Sequence, residues 1–287
     1  MIKIDRNSLQ TIPFGDPRYP KAWTALQDAP KTVYAYGDMS LLAQRKFVIV
    51  GSRRTPANAL KLGNTIAKDL SGSFVITTGI ADGGDTSAIE GALSGSGKVI
   101  CVLASGFSCL PQNNLALLEK VSKTGLLLSP YEYDVSARTF SYGYRNKLLA
   151  VLGDGVLVLG AGEKSGALIT AECAFRYGKT VFALPYAPGS ATGAGCNVLI
   201  KRGGYLTENA QDVAEKFGLE LCGSVQKPTL TEEEKSVLTV LKEIANGHVS
   251  EIAPKTGLSP FKALAVLSAL EVKGLAVSLG GNRYAPV

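Results

Sequence analysis

A turn of small residues carrying Lys164 and Ser165 separates an apolar run, GVLVLGA at 155–161, from a helical pattern, ALITAECAFRYG at 167–178. A strand, such a turn and a helix start bring backbone N–H groups, a hydroxyl and an ammonium to one point, which equips it to hold an anion. A second turn of this kind, GSRR at 51–54, follows the strand pattern FVIV at 47–50. Arg53 falls at the carboxyl end of that strand, where parallel α/β sheets meet their ligands. Its position therefore suits an anion clamp better than a solvated surface arginine. Two anion-ready turns on one sheet make phosphate, in a nucleotide or a nucleic acid, the first ligand to consider.

The run TFSYGYRNK at 139–147 interleaves Phe140, Tyr142 and Tyr144 with Arg145 and Lys147. Aromatic faces can stack on bases while the cations meet phosphates. The same spacing also suits a helix start whose aromatics turn inward, and the sequence leaves both readings open. Other phosphate motifs are missing. Gly178-Lys179-Thr180 has Cys173 where a P-loop needs its first glycine, and Lys179 leads into a strand. Gly160, Gly162 and Gly166 come nearest to a dinucleotide fingerprint, but the spacing is one residue too long. The single histidine, His248, lies far along the chain from both turns, so no histidine-based hydrolytic centre is expected unless two domains meet. Neither a catalytic residue, a cofactor nor a metal site is expected. The five cysteines form no C-x-x-C pair and read as buried, reduced thiols.

The elements that must position these turns follow from periodicity. Apolar β-branched runs recur at 47–50, 74–78, 98–104, 125–129, 155–160 and 180–184, with helical patterns at 57–70, 86–93 and 115–123 between them. Near-continuous apolar strands alternating with helices predict a doubly wound, mostly parallel, Rossmann-like α/β sheet. Residues 1–45 are expected to be a lead-in, 46–221 the sheet domain, 222–230 a linker and 231–287 a second domain. In the last, TEEEKSVLTVLKEIA starts a helix, two further helices flank Gly257, and a hairpin turns at Gly280-Gly281-Asn282. That is the order of a winged helix.

The 287 residues are 46% hydrophobic and 19% charged, a globular composition. The net charge is +6, with a pI near 9.0, which suits an acidic partner. Residues 229–287 carry six Lys/Arg and six Glu, so the excess lies upstream. The last of the three helices, SPFKALAVLSALEVK at 259–273, also has no Arg, Asn or Gln to read a base edge. Protein contact, or a tethered regulatory role, is expected of this module ahead of major-groove readout. MIKIDRNSLQ has no apolar signal region, and prolines and glycines interrupt the uncharged stretch at 180–200. A cytoplasmic location without membrane contact is expected.

Several blocks together, IVGSRR, TGIADGGDTSAIEGAL, KVICVLASGFSCLPQNN, RNKLLAVLGDGVLVLGAGEKSGALITA and AGCNVLIKRGG, resemble the DNA-processing protein A family (DprA, also called Smf) over about 15–217. The resemblance implies a Rossmann-like core that binds single-stranded DNA without strong sequence preference, dimerises, protects incoming strands in natural transformation and helps load a RecA-type recombinase. It implies no catalysis. Carried over by position, the DNA-binding residues are Gly51, Ser52 and Arg53, then Arg145, Asn146 and Lys147, then Lys164, Ser165, Gly166 and Thr170, with an aromatic near Phe140 stacking on a base. Arg53 and Lys147 would pin phosphates. Lys147 stands where the family usually has arginine, and Asp82 where a cation is frequent. The rival expectation is a nucleotide-binding enzyme of the phosphoribohydrolase (lysine-decarboxylase-like) type. Such enzymes typically show P-G-G-x-G-T-x-x-E, whereas this chain has Gly160-Ala161-Gly162-Glu163-Lys164-Ser165-Gly166, without the proline.

Overall fold

Alternate residues of one strand enter opposite cores. In the FVIV segment, Phe47 and Ile49 join one apolar cluster while Val48 and Val50 join another, so the strand is covered on both faces. The computed structural model describes residues 4–221 and 230–286. The linker expected at 222–230 therefore lies, but for Leu230, outside the described residues, as does Cys222. The chain divides into two compact units, Met1–Ser224 and Val225–Val287.

The first unit runs β1 (Gln10–Pro13), β2 (Thr32–Gly37), β3 (Lys46–Val50), α1 (Ala57–Leu70), β4 (Val75–Thr78), α2 (Gly84–Ser94), β5 (Val99–Val102), α3 (Leu115–Thr124), β6 (Leu126–Ser129), α4 (Thr139–Leu152), β7 (Gly155–Val158), α5 (Gly166–Arg176), β8 (Thr180–Ala183), α6 (Ala194–Lys201), β9 (Tyr205–Leu206) and α7 (Ala210–Lys216). Nine strands form one sheet in the order β1-β2-β6-β5-β4-β3-β7-β8-β9 among the described residues. From β6 through β9 every pairing is parallel. Helices α1, α2, α3 and α7 supply the first core and α4, α5 and α6 the second. The predicted doubly wound α/β architecture is present.

Residues 1–45 do more than lead in. β1 and β2 pair antiparallel with each other, and β2 pairs antiparallel with β6, so this segment extends the sheet. Trp23 is completely buried in the second core, and its indole N–H donates to the Leu148 carbonyl of α4 at 2.9 Å. The pieces between Pro13 and Pro30 are too short to show a period, which is why sequence pattern alone reads them as connections.

Cys101, Cys173 and Cys196 are buried and unpaired, and Cys109 is half-buried. Burial pushes the Cys196 thiol up to about 12. No helix among the described residues is long and apolar enough to cross a membrane.

The second unit has α8 (Glu232–Ile244), β10 (Gly247–His248), α9 (Val249–Thr256), α10 (Pro260–Val272), β11 (Ala276–Gly280) and β12 (Arg283–Pro286). Its antiparallel sheet, in the order β10-β12-β11, completes a winged helix. His248 caps α9, where its Nδ1 accepts from the Ser250 N–H at 3.2 Å. Thr231 and Glu234 cap α8 reciprocally, the Thr231 N–H donating to the carboxylate at 2.8 Å. The Lys273 ammonium bonds both Glu234 oxygens, at 2.6 and 2.7 Å. Those bonds, Lys273 first, hold the Glu234 carboxyl below its ordinary value of 4.5. A depressed carboxyl contributes stability that is complete above the ordinary value and is lost as pH falls through the folded one. Melting of this unit in the full chain should therefore become easier below pH 4.5, and this acid sensitivity should be blunted in Glu234→Gln. Far-ultraviolet circular dichroism against pH measures both.

Candidate nucleic-acid interface

The strand order reverses between β3 and β7: successive strands from β3 step towards β6, while those from β7 step towards β9. Such a switch point opens a crevice at the carboxyl ends of the strands. A cavity of about 550 Å³ lies there. Its walls are the GSRR turn after β3, the turn at 162–166 before α5 and one side of α4.

Close backbone approach sets the floor. A Cβ on Gly51 would stand 2.9 Å from the Cα of Gly84, so glycine is needed where the first turn meets the start of α2. Within that turn the Ser52 N–H donates to the Gly160 carbonyl at 2.8 Å, and the Arg54 N–H to Ser52 Oγ at 3.2 Å. These amides are consumed by the fold, so the turn offers an anion its side chains more than its backbone. In the second turn Ser165 caps α5, its Oγ accepting from the Ala167 N–H at 3.3 Å. Arg53, Arg54 and Lys164 all line the cavity, and their side chains have no hydrogen-bond or ion-pair partner among the described residues.

Arg145 also reaches this cavity, but from inside the protein. It is about 5% exposed and lies 3.8 Å from the buried Asp85 carboxyl. Its Nη1 donates to the Val102 carbonyl at 3.2 Å and its Nε to Asn146 Oδ1 at 2.9 Å. Asn146 in turn donates to the Gly166 carbonyl at 3.0 Å, tying α4 to the second turn. Burial pushes the Asp85 carboxyl up. The Arg145 charge and the N–H groups of Ala81 and Gly51 act against that rise. A Cβ at Gly79 would run into the Arg145 guanidinium, so the glycine makes room for the pair. Asn146 thus holds the second turn against α4, while Arg145 pairs with Asp85 near the start of α2.

Of the sequence-predicted residues, Gly51, Ser52, Arg53, Arg145, Asn146, Lys164, Ser165, Gly166 and Thr170 line this one cavity. Thr170 is fully buried and its Oγ1 has no partner. Lys147 and Phe140 lie elsewhere. Two residues on from Arg145 is a 200° turn of the helix, and Lys147 accordingly faces a neighbouring concavity of about 720 Å³. There its ammonium bonds Asp28 at 3.0 Å. Phe140 sits in the first turn of α4, 65% exposed, and is not part of the cavity wall. The aromatic in that wall is Tyr142. The aromatic run divides between the interior and the surface. Tyr144 turns inward, its hydroxyl donating to the Asp28 carbonyl at 2.6 Å, while Phe140 and Tyr142 face out. Arg54 and Asp85 were legible in sequence only as neighbours of the motifs.

A family described as DNA recombination-mediator protein A matches residues 10–218 of the chain. DNA processing protein DprA of Bacillus subtilis (strain 168) is 33% identical over 212 residues, which are 73% of this chain and 71% of the relative. The X-ray structure of DNA processing protein A from Streptococcus pneumoniae superposes with a TM-score of 0.70 at 32% identity, covering 72% of this chain and 74% of that one. DNA processing protein A from Helicobacter pylori, whose structure concerns its single-stranded DNA binding mode, superposes with a TM-score of 0.66 at 31% identity, over 73% of this chain and 95% of its own.

Proposed function

The chain belongs to the DNA recombination-mediator protein A family, and from that premise we propose that it binds single-stranded DNA without strong sequence preference. Its task is to protect incoming strands in transformation and to help load a RecA-type recombinase. The observation that carries this reading is the set of three cations, Arg53, Arg54 and Lys164, unpartnered among the described residues, around one cavity at the switch point of the sheet. Unpaired cations at a concave edge are free to replace the counterions of a phosphate backbone. The exposed Tyr142 ring beside them offers a face to a base.

The reading is non-catalytic. Of the two carboxyl groups that line the cavity, Asp85 and Glu163, the buried one is committed to Arg145 and to the Ala81 N–H, which leaves Asp85 unsuited to move a proton for the phosphoribohydrolase alternative. The test is fluorescence anisotropy of labelled oligo-dT and a matched duplex over a salt series. Tighter binding of the single strand is expected, its affinity falling by about 0.7 log units per tenfold salt for each phosphate neutralised. Equal, weak binding to both would sink the reading, and release of free base from nucleoside monophosphates would install the enzyme in its place.

Self-association belongs to the same proposal. β9 is an edge strand with Tyr205 and Leu206 exposed, and Val198 of α6 is exposed too. An uncovered apolar edge favours pairing with another chain. Leu206→Glu is expected to shift the protein from dimer to monomer in sedimentation velocity. For the winged-helix unit we keep protein contact as the role. The exposed residues of α10 include Phe261 and Val272, apolar groups that suit a protein surface better than phosphate.

A further inference from the structure

We propose that Glu163 is a specificity-determining residue, a carboxylate set in the anion cavity that makes a rigid duplex a poorer ligand than a flexible single strand. The inference rests on the single-stranded DNA reading and names a side chain that gives it selectivity. Two carboxyl groups line the cavity, Asp85 and Glu163. Asp85 is buried beside Arg145. Glu163 is exposed, and its carboxylate has no hydrogen-bond or ion-pair partner among the described residues.

Local geometry explains why that charge is left open. The Ser165 N–H donates to the Gly162 carbonyl at 3.0 Å, which closes a four-residue turn with Glu163 and Lys164 at its two central positions. Both residues are exposed. Each lines the anion cavity and the neighbouring concavity alike, so one negative and one positive charge share the ridge between the two. A ridge built for affinity alone would carry two cations. Here the carboxylate offsets the ammonium beside it, and a phosphate that approaches Lys164 also approaches a like charge.

A duplex and a single strand meet this ridge differently. Double-stranded DNA carries one charge per about 1.7 Å of its axis, on a frame that stays straight over about 150 base pairs. A duplex phosphate docked on Lys164 therefore brings its neighbours towards Glu163, and the frame has no freedom to draw them back. A single strand rotates about its backbone bonds. It can lay one phosphate on Lys164 and turn the next to Arg53 and Arg54, which line the same cavity. The repulsion falls mainly on the wrong ligand, which is how a charge that adds no attraction raises selectivity.

The experiment compares anisotropy titrations of oligo-dT and a duplex of equal length for the wild-type chain, Glu163→Gln and Glu90→Gln. Glu90 is exposed on α2 and lines neither concavity, so its variant removes the same charge from elsewhere on the surface. Glu163→Gln should bind the duplex about fivefold tighter than wild type, the worth of one charge contact near 4 Å in water. Its affinity for oligo-dT should rise by less than about twofold, which narrows the preference and shows that the variant is folded. The duplex gain should shrink between about 50 and 200 mM salt, as screening shortens the reach of the charge. An equal gain for both ligands, no gain for the duplex, a weaker oligo-dT complex, or the same narrowing in Glu90→Gln would overturn the role of Glu163 while leaving single-strand binding intact. A wild-type chain that does not prefer oligo-dT to the duplex would overturn the single-strand reading itself, and this inference with it.

Discussion

Arg145→Met is expected to cost about 3–5 kcal/mol of unfolding free energy, the usual loss when one partner of a buried ion pair is removed. Both side chains are almost fully buried, at 6% and 5% exposure, so solvent screens the pair little. The substitution also strips a donor from the Val102 carbonyl and frees Asn146, which fastens the turn before α5. Trp23, the only tryptophan in the chain, is buried against α4, so its fluorescence in urea reports on this unit alone. The loss should depend on pH. With Arg145 gone, burial raises the Asp85 carboxyl unopposed by that charge, so the folded state binds its proton more tightly than the unfolded chain does. The variant's deficit should then be smallest below the ordinary carboxyl value of 3.8 and should grow as pH rises towards neutrality. Adding Asp85→Asn should recover much of it. A variant as stable as wild type at neutral pH would show the pair to be dispensable, and Arg145 would then have to be reconsidered as a direct phosphate ligand.

Arg53→Ala should lower affinity for oligo-dT about tenfold to a hundredfold, the worth of one or two charge-assisted hydrogen bonds. It should flatten the salt slope by about 0.7. All sequences should weaken alike, because a phosphate clamp carries no base information. Stability should hardly change, since Arg53 is exposed and its guanidinium makes no hydrogen bond, ion pair or ring contact with the rest of the described chain. Lys147→Ala supplies the contrast: its ammonium is engaged by Asp28 and faces a different concavity, so the loss should stay within about threefold, typical of an exposed pair. If Lys147→Ala cost as much as Arg53→Ala, the strand would have to run through that second concavity as well.

Much of the sheet was legible because its strands are buried on both faces and therefore read as unbroken apolar runs, as in β3, β5 and β7. The two turns that line the cavity were legible for a related reason: each follows such a run directly, so its place at the carboxyl end comes with the strand. β1 and β2 were not, because an antiparallel edge of four to six residues has no period long enough to stand out from turn signals. The predicted site was most ambiguous along α4, where one helical segment carries residues with three different fates. Arg145 and Asn146 enter the interior, Tyr142 stays at the cavity wall, and Lys147 turns away to Asp28.

Sequence by itself determined the alternation of strands and helices from β3 to β8, the positions of the glycine turns, the surplus of positive charge in the first 228 residues and the family these motifs belong to. These are local properties, written in the spacing of apolar side chains and in the conformations that glycine permits. Only the tertiary structure decided which cations are spent and which are free. Arg145 and Arg53 are the same residue type beside the same cavity. Asp85 lies 60 positions from Arg145 in the chain, and its burial makes a partner obligatory for the one, while nothing in the described fold claims the other. A buried charge must be paired and an exposed one need not be; that distinction depends on what the folded chain brings together, which no local pattern records.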